Sequence, residues 1–128
     1  HAVKCNYGIN YIGTDLGFNV LIRPAMYDSY HEMRVLSKDD EKETYTATVV
    51  GNICESGDVL GKDRELVKAK EGDLVSVDNA GAYAYAMASN YNVRQRPAEV
   101  LVCSDGSVKL IRRRDSFEEL FANQKGLY

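Results

Sequence analysis

The sequence has little of what stabilises small secreted, metal-binding or membrane-spanning proteins. Its three cysteines, Cys5, Cys54 and Cys103, are odd in number and widely spaced, so they predict neither a disulfide framework nor a zinc site. Two histidines alone cannot build a metal site, and we expect no metal. No apolar run approaches the roughly 18 residues of a membrane span, and no basic leader precedes one. We therefore expect a cytoplasmic protein with reduced thiols and no membrane contact.

The sequence also lacks a strong charge of either sign. Sixteen Lys and Arg side chains oppose nineteen Asp and Glu, for a net charge of −3, which provides no general attraction for nucleic-acid phosphates. The one dense basic cluster, Arg112 to Arg114, is typical of a solvated surface. A nucleic-acid-binding β-barrel would need exposed aromatic residues interleaved with basic ones. We expect no nucleic-acid partner.

What is present is a chain long enough for one domain with a substantial core, over residues 1–128. Alternation with a period of two residues dominates its hydrophobic pattern. The run TYTATVV, residues 44–50, places Tyr45, Ala47 and Val49 on one face and three threonines on the other, which predicts a β-strand.

Turn residues indicate further strands. The run EVLVCSDGSVKLIRR places Asp105 and Gly106 between two apolar segments and predicts a β-hairpin. EGDLVSVD predicts a turn and then a strand that begins at Leu74, and YIGTDLGF predicts a short strand that ends in a glycine loop. The polar tract SKDDEKET, residues 37–44, predicts an exposed hairpin tip.

Only the C-terminal segment has a convincing helix signal. Ser116 and Glu119 have the spacing of a capping box, and Phe117, Leu120 and Phe121 share one face of the helix. LIRPAMYDSYHEM is predicted to be a loop that enters a strand, because its proline disfavours a helix in the preceding residues. The predicted fold class is all-β, a barrel or a sandwich, with one short C-terminal helix.

Three predicted loops carry more functional groups than a sheet needs: RPAMYDSYH, GNICESGDVLGKDR and DNAGAYAYAMASNYN. Cys54 and Glu55 directly follow a predicted strand, so both would leave the sheet at its rim. Cys54 alone could equally be a small buried hydrophobe, whereas a Glu beside it is rarely buried without a partner. The third loop could be an aromatic core patch, or its small residues could allow a ligand to approach closely.

These three segments carry a family resemblance. GNICESGDVLGKDR resembles the C-E-S-x-D-x-L-x-K-D-R signature of diaminopimelate decarboxylases, and LIRPAMYDSYHEM is similar to their R-P-x-x-Y-x-x-Y-H segment. GAYAYAMASNYNVRQRPAEVLV resembles a third block of the same family. The blocks occur in family order and the resemblance spans essentially the whole chain. Asn52 and Gly61 depart from the residues common in the family, at loop positions that leave the chemistry untouched.

The resemblance implies a place within a larger enzyme. It covers the carboxy-terminal β-barrel domain of this pyridoxal 5′-phosphate-dependent family, whose (β/α)₈ barrel, typically about 250 residues, is expected to be absent from this chain. That missing barrel would bind most of the cofactor and supply its lysine. Lys4, in the suggestive stretch HAVKCN, is therefore not expected to be the cofactor lysine. The resemblance implies that this chain alone is inactive.

The resemblance also implies roles for five side chains. The family converts meso-2,6-diaminopimelate to L-lysine and CO₂, the last step of lysine biosynthesis. Arg23 and Tyr27 would bind the distant carboxylate of this amino-acid substrate, and Glu55 would bind its distant ammonium. Cys54 would be the general acid that returns a proton to the decarboxylated carbon. Tyr83 would contact substrate and cofactor, near the cofactor phosphate.

The family's functional unit is a homodimer with shared active sites. Cys54 and Glu55 would serve the partner subunit's site, while Arg23, Tyr27 and Tyr83 would serve their own. Related decarboxylases of ornithine, arginine or carboxynorspermidine share the fold and the cysteine, but ornithine enzymes have Asp where this chain has Glu55. The alternatives are therefore the β-domain of such a relative, or a non-catalytic dimerisation module.

Overall fold

Residues 1–36 and 43–126 are described by the structure, a computed structural model. The chain divides into two compact units, His1–Ala88 (unit 1) and Ser89–Tyr128 (unit 2). In unit 1 the elements are β1 (Ala2–Asn6), β2 (Ile9–Gly13), α1 (Arg23–Tyr27), β3 (Met33–Val35), β4 (Thr44–Val50), β5 (Val59–Val67), β6 (Val75–Val77) and α2 (Gly81–Met87). In unit 2 they are a 3₁₀ turn (Tyr91–Val93), β7 (Glu99–Val102), β8 (Val108–Arg112) and α3 (Phe117–Phe121).

Unit 1 contains a four-stranded sheet and a two-stranded sheet. The larger sheet has the order β1-β2-β4-β5, in which β2 and β4 are parallel and the other pairs are antiparallel. The β1–β2 hairpin turns at Tyr7 and Gly8, both with positive φ, as a two-residue turn of the type that suits the twist of a hairpin requires. The smaller sheet pairs β3 with β6.

The core of unit 1 lies between these two sheets. Its buried side chains come from β2, β3, β4, β5 and the residues after β5: Ile12, Met33, Val35, Ala47, Val49, Leu60, Leu66 and Ala69. Leu60 and Val49 are the most completely buried. β4 is interrupted by a bulge around Val49, just before the loop that leads to β5. A bulge at this place bends the strand where it delivers that loop.

Several sequence predictions are confirmed. β4 spans residues 44–50, with Ala47 and Val49 buried. The predicted hairpin is β7–β8, and Ser116 and Glu119 form a complete capping box at the start of α3. Strands predominate, as the predicted fold class requires, although the described strands form separate sheets and no closed barrel is seen among them. Most of the predicted 37–44 hairpin tip, residues 37–42, lies outside the described residues.

Candidate functional site

α1 carries two of the five candidate residues. The sequence predicted a loop here, which was wrong. Pro24 lies in the first turn of α1, where a backbone N–H has no partner within the helix, so proline is tolerated there. The helix ends at Asp28, whose backbone is left-handed at φ 54°. Arg23 and Tyr27 are four residues apart and therefore lie on the same face of the helix.

α2 carries Tyr83 and was also predicted to be a loop. The alternation of tyrosine with alanine in GAYAYAM was interpreted as an aromatic loop, but alanine is the strongest helix former. Three of the seven residues of α2 are alanine, which was the signal that the sequence offered. Asn79, with φ 55°, lies two residues before the helix and turns the chain out of β6.

The structure brings Arg23 and Tyr83 together. The Arg23 guanidinium carbon lies 5.2 Å from the centre of the Tyr83 ring, within the range of a cation–π contact. Arg23 is half-buried, whereas Tyr27 and Tyr83 are 60% and 53% exposed. A cation and two exposed phenols are therefore available to an anionic group at this surface.

Cys54 and Glu55 lie on the loop between β4 and β5, residues 51–58. Both side chains are exposed, so Cys54 is not a buried hydrophobe, and its thiol is free. The Glu55 carboxylate accepts a hydrogen bond from the Gly57 N–H, at 3.3 Å. Within residues 1–36 and 43–126, no hydrogen bond, ion pair or ring contact joins Cys54 or Glu55 to the Arg23–Tyr83 pair.

The site region thus contains two sets of side chains with different chemistry. The Arg23–Tyr83 pair, with Tyr27, offers donors suited to a carboxylate or a phosphate. Cys54 and Glu55 offer a thiol that can deliver a proton and a carboxylate that can bind an ammonium group. A cavity of about 330 Å³ against β1 and β2 contains none of the five residues and is separate from both sets.

Sequence reasoning missed His31, which ties the two helix-bearing segments together. It is 3% exposed, and its Nδ1 lies 3.0 Å from the Asp78 carbonyl oxygen, which can only accept a hydrogen bond. Arg34 pairs with the Asp78 carboxylate at 2.7 Å, and the Asp78 N–H donates to the Glu32 carbonyl. The chain after α1 is therefore fixed to the chain before α2.

Tyr30 was named in the motif but given no role. Its hydroxyl donates to the Glu32 carboxylate at 2.7 Å, and this hydrogen bond raises the pKa of the Tyr30 phenol. The Arg64 guanidinium carbon lies 3.9 Å from the centre of the Tyr30 ring. Tyr30 therefore connects the chain after α1 to β5.

In the described part of the chain, no group of three or more His, Cys, Asp and Glu side chains could hold a metal ion. None of its helices is both long and apolar enough to cross a membrane. Lys4 lies on β1, paired with Tyr11 of β2.

Comparison with known proteins gives matches along nearly the whole chain. The family described as pyridoxal-dependent decarboxylase, C-terminal sheet domain, matches residues 1–81, which include four of the five candidate residues. The diaminopimelate decarboxylase of Archaeoglobus fulgidus is 51% identical over 98% of this chain and 29% of its own length. The chain therefore spans less than a third of that relative.

Solved structures of amino-acid decarboxylases also match this chain. Diaminopimelate decarboxylase from M. jannaschii, in a complex with L-lysine, superposes with a TM-score of 0.91 at 38% identity, over 98% of this chain and 28% of that one. A lysine/ornithine decarboxylase from Vibrio vulnificus, complexed with cadaverine, gives 0.63 at 25% identity, over 72% and 25%. The chain belongs to the family of pyridoxal-dependent decarboxylases, as a C-terminal sheet domain.

Proposed function

We propose that residues 1–128 are the C-terminal domain of a diaminopimelate decarboxylase, which converts meso-2,6-diaminopimelate to L-lysine and CO₂. The observation that carries the proposal is the likeness to diaminopimelate decarboxylases along nearly all of this chain. The likeness to a lysine/ornithine decarboxylase is weaker and covers less of the chain. Ornithine decarboxylases have Asp at the position of Glu55, so Glu55 also favours diaminopimelate over ornithine as the substrate.

The family's cofactor, pyridoxal 5′-phosphate, fits what this chain offers. Tyr83 has an exposed phenol beside the Arg23 cation, and a phenol can donate to a phosphate oxygen. Tyr83 would therefore hold the cofactor through one such contact, and the rest of the enzyme would hold most of it. When bound, the cofactor supplies the electron sink for loss of CO₂.

Arg23, Tyr27 and Glu55 would select the substrate by its distant end. That end carries both a carboxylate and an ammonium group, so it needs a cationic and an anionic receptor together. The Arg23 guanidinium can bind a carboxylate with two parallel hydrogen bonds, which fix direction as well as energy. The Tyr27 phenol, four residues along the same helix face, adds a donor, and Glu55 accepts from the ammonium group.

Cys54 would complete the reaction. The bond from the D-centre to its carboxylate breaks, CO₂ leaves, and the same carbon takes a proton from the thiol. Solvent then returns the proton to Cys54. The free cysteines of the described chain suit the reducing cytosol, where we expect the enzyme to act.

We propose that the enzyme is a homodimer with shared active sites. In one chain, no described contact links Cys54 or Glu55 to the Arg23–Tyr83 pair. Exposed catalytic groups on a loop are able to serve a second copy. Each site would then combine Arg23, Tyr27 and Tyr83 of one subunit with the thiol and carboxylate of the other.

Kinetics of the whole enzyme test the assigned roles. Cys54→Ala should lower kcat by about 10²-fold or more and change KM little, because only proton delivery is lost. Arg23→Ala should mainly raise KM, as loss of a charged partner costs about 2–5 kcal/mol of binding. Cys5→Ala, another exposed cysteine, is the control and should behave as wild type. Equal effects of the first two variants on kcat and KM would mean that the roles are misassigned.

Mixed dimers test the sharing of sites. At substrate concentrations far below KM, Cys54→Ala and Arg23→Ala homodimers should each have little activity, but a mixed dimer would contain one site with both defects and one intact site. Random mixing should therefore restore about a quarter of wild-type activity. Mixing Cys54→Ala with Glu55→Gln, both on the same loop, is the control and should restore none. Absence of recovery in the first mixture would contradict shared sites.

A further inference from the structure

Asp58 is a buried carboxylate that the proposed reaction does not use. It is 4% exposed, at the end of the loop that carries Cys54 and Glu55. Its N–H donates to the Glu55 carbonyl at 3.1 Å, and its carbonyl accepts from the Gly51 N–H at 3.0 Å. These two hydrogen bonds connect the end of the loop at Asp58 to its beginning at Gly51 and to Glu55.

The Asp58 side chain extends this closure to a second loop. One carboxylate oxygen accepts from the Phe18 N–H at 2.6 Å, and the other accepts from the Ile53 N–H at 2.7 Å. Asn52 adds a further link, donating from its side-chain amide to the Asp15 carbonyl at 2.8 Å. The loop after β2 and the loop after β4 are thus joined at one carboxylate.

The Asp58 carboxylate fits where it does because Gly17 and Gly51 beside it have no side chain. A Cβ atom on Gly17 or on Gly51 would overlap the Asp58 carboxylate, and one on Gly17 would also lie 2.7 Å from the Ile53 side chain. Gly57, in the same loop, has no neighbouring atom nearer than 4.0 Å to such a Cβ. Within the loop of residues 51–58, the close approach is therefore to Asp58 and not to the residues around Gly57.

The buried anchors enclose the candidate groups. Ile53 is 7% exposed and Asp58 is 4% exposed, whereas every residue from 54 to 57 between them is exposed. We propose that Asp58 is a positioning residue: its carboxylate sets the direction in which Cys54 and Glu55 leave the sheet. This inference rests on the function proposed above.

The test replaces Asp58 by asparagine in the whole enzyme. Asn offers one oxygen and one NH₂ group, so either the Phe18 or the Ile53 N–H would face a donor and the loop would shift. A displacement of about 1 Å in catalytic groups can cost about 10²-fold in rate, and we expect a fall of that order in kcat/KM. Cofactor absorbance and dimer mass check that the variant is folded.

A second variant keeps the test valid if Asp58→Asn does not fold. Gly51→Ala keeps the Asp58 carboxylate, but the added Cβ would overlap both that carboxylate and the Gly17 Cα, so the two loops must shift apart. It should also lower kcat/KM, whereas the matched Gly57→Ala should stay near the wild-type value. Equal activity of the two alanine variants would overturn the proposal.

A mutant cycle separates positioning from a general loss of structure. In a Cys54→Ala, Glu55→Gln background, Asp58→Asn should cost less than about threefold, because the groups that it directs are already gone. In an Arg23→Ala background it should cost as much as in wild type. Equal costs in both backgrounds would reduce Asp58 to a structural residue. If Cys54→Ala is itself fully active, the proposed function fails instead, independently of Asp58.

Discussion

Units 1 and 2 are stabilised in different ways. Every buried residue of the described chain lies in unit 1, where Val49 is fully buried and Leu60 is 1% exposed. Among residues 89–126 of unit 2, none is buried. The apolar side chains of its hairpin are largely exposed, including Val102 at 68% and Leu110 at 64%. Burial of apolar surface therefore contributes far more to unit 1 than to unit 2.

Unit 2 relies on polar contacts instead. The Asp115 carboxylate accepts hydrogen bonds from the Arg96 backbone and guanidinium and from the Asn90 amide, which joins residues 90–96 to the chain after β8. Arg113 pairs with Glu119, which also completes the capping box of α3. These contacts are directional, and they bury little apolar surface.

The difference explains where the candidate groups lie. All five side chains assigned by the proposal are in unit 1, on α1, on α2 and on the loop between β4 and β5. A site needs its groups held within fractions of an ångström, and packed elements hold them better than exposed ones. Unit 1 provides that support through the core, through His31 and Asp78, and through Asp58.

The largest effect on stability is expected from a cavity in the core of unit 1. Leu60→Ala should lower the free energy of unfolding by about 2–5 kcal/mol, because the lost methylene groups leave a void in a packed core. Leu110→Ala, the same substitution on the exposed hairpin of unit 2, should change it by about 0.5 kcal/mol or less. Urea denaturation of both variants measures the difference, and equal losses would contradict the contrast between the units.

The sequence predicted those parts of the fold that local patterns encode. β4, the β7–β8 hairpin and the capping box depend on alternation, on Asp-Gly turn residues and on Ser116 with Glu119, all of which are neighbours in the chain. α1 was missed because Pro24 was interpreted as a helix breaker without regard to its position in the first turn. α2 was missed because its tyrosines were interpreted as a loop despite its three alanines. Pro24 lies in the first turn, where its missing N–H is harmless.

The candidate site was less accessible to physical reasoning from sequence. The roles of Cys54 and Glu55 came from a family resemblance, since an exposed rim alone did not distinguish a catalytic thiol from a buried one. Asp58 could not be found at all, because its contact with Phe18 joins residues forty positions apart. A carboxylate that anchors two loops has the same local pattern as one that faces solvent.

A smaller effect is expected in unit 2, where stability should depend on pH through Asp115. The Arg96 guanidinium hydrogen-bonded to Asp115 lowers the pKa of that carboxyl to about 2, below its ordinary value of about 3.9. The folded state thus favours ionised Asp115, which stabilises unit 2 above about pH 4 by about 2 kcal/mol. This stability is lost as the pH falls from about 4 through 2. Arg113 lowers the pKa of Glu119 to about 2 as well, and this exposed pair should act in the same direction more weakly.

Asp115→Asn should abolish most of that acid-dependent loss, because the substituted amide does not titrate and the variant lacks the ion pair at every pH. Amide hydrogen exchange, compared at pH 6 and pH 3, should show faster exchange for residues 90–96 in the variant already at the higher pH. Exchange in β4 and β5 of unit 1 should not change. Asp105→Asn is the matched control, because its side chain lies in the exposed hairpin turn and still offers an oxygen to the Ser107 N–H. Equal protection of residues 90–96 in wild type and in Asp115→Asn would show that the Asp115 carboxylate does not hold unit 2 together. The stability of unit 2 would then have to come from the β7–β8 hairpin.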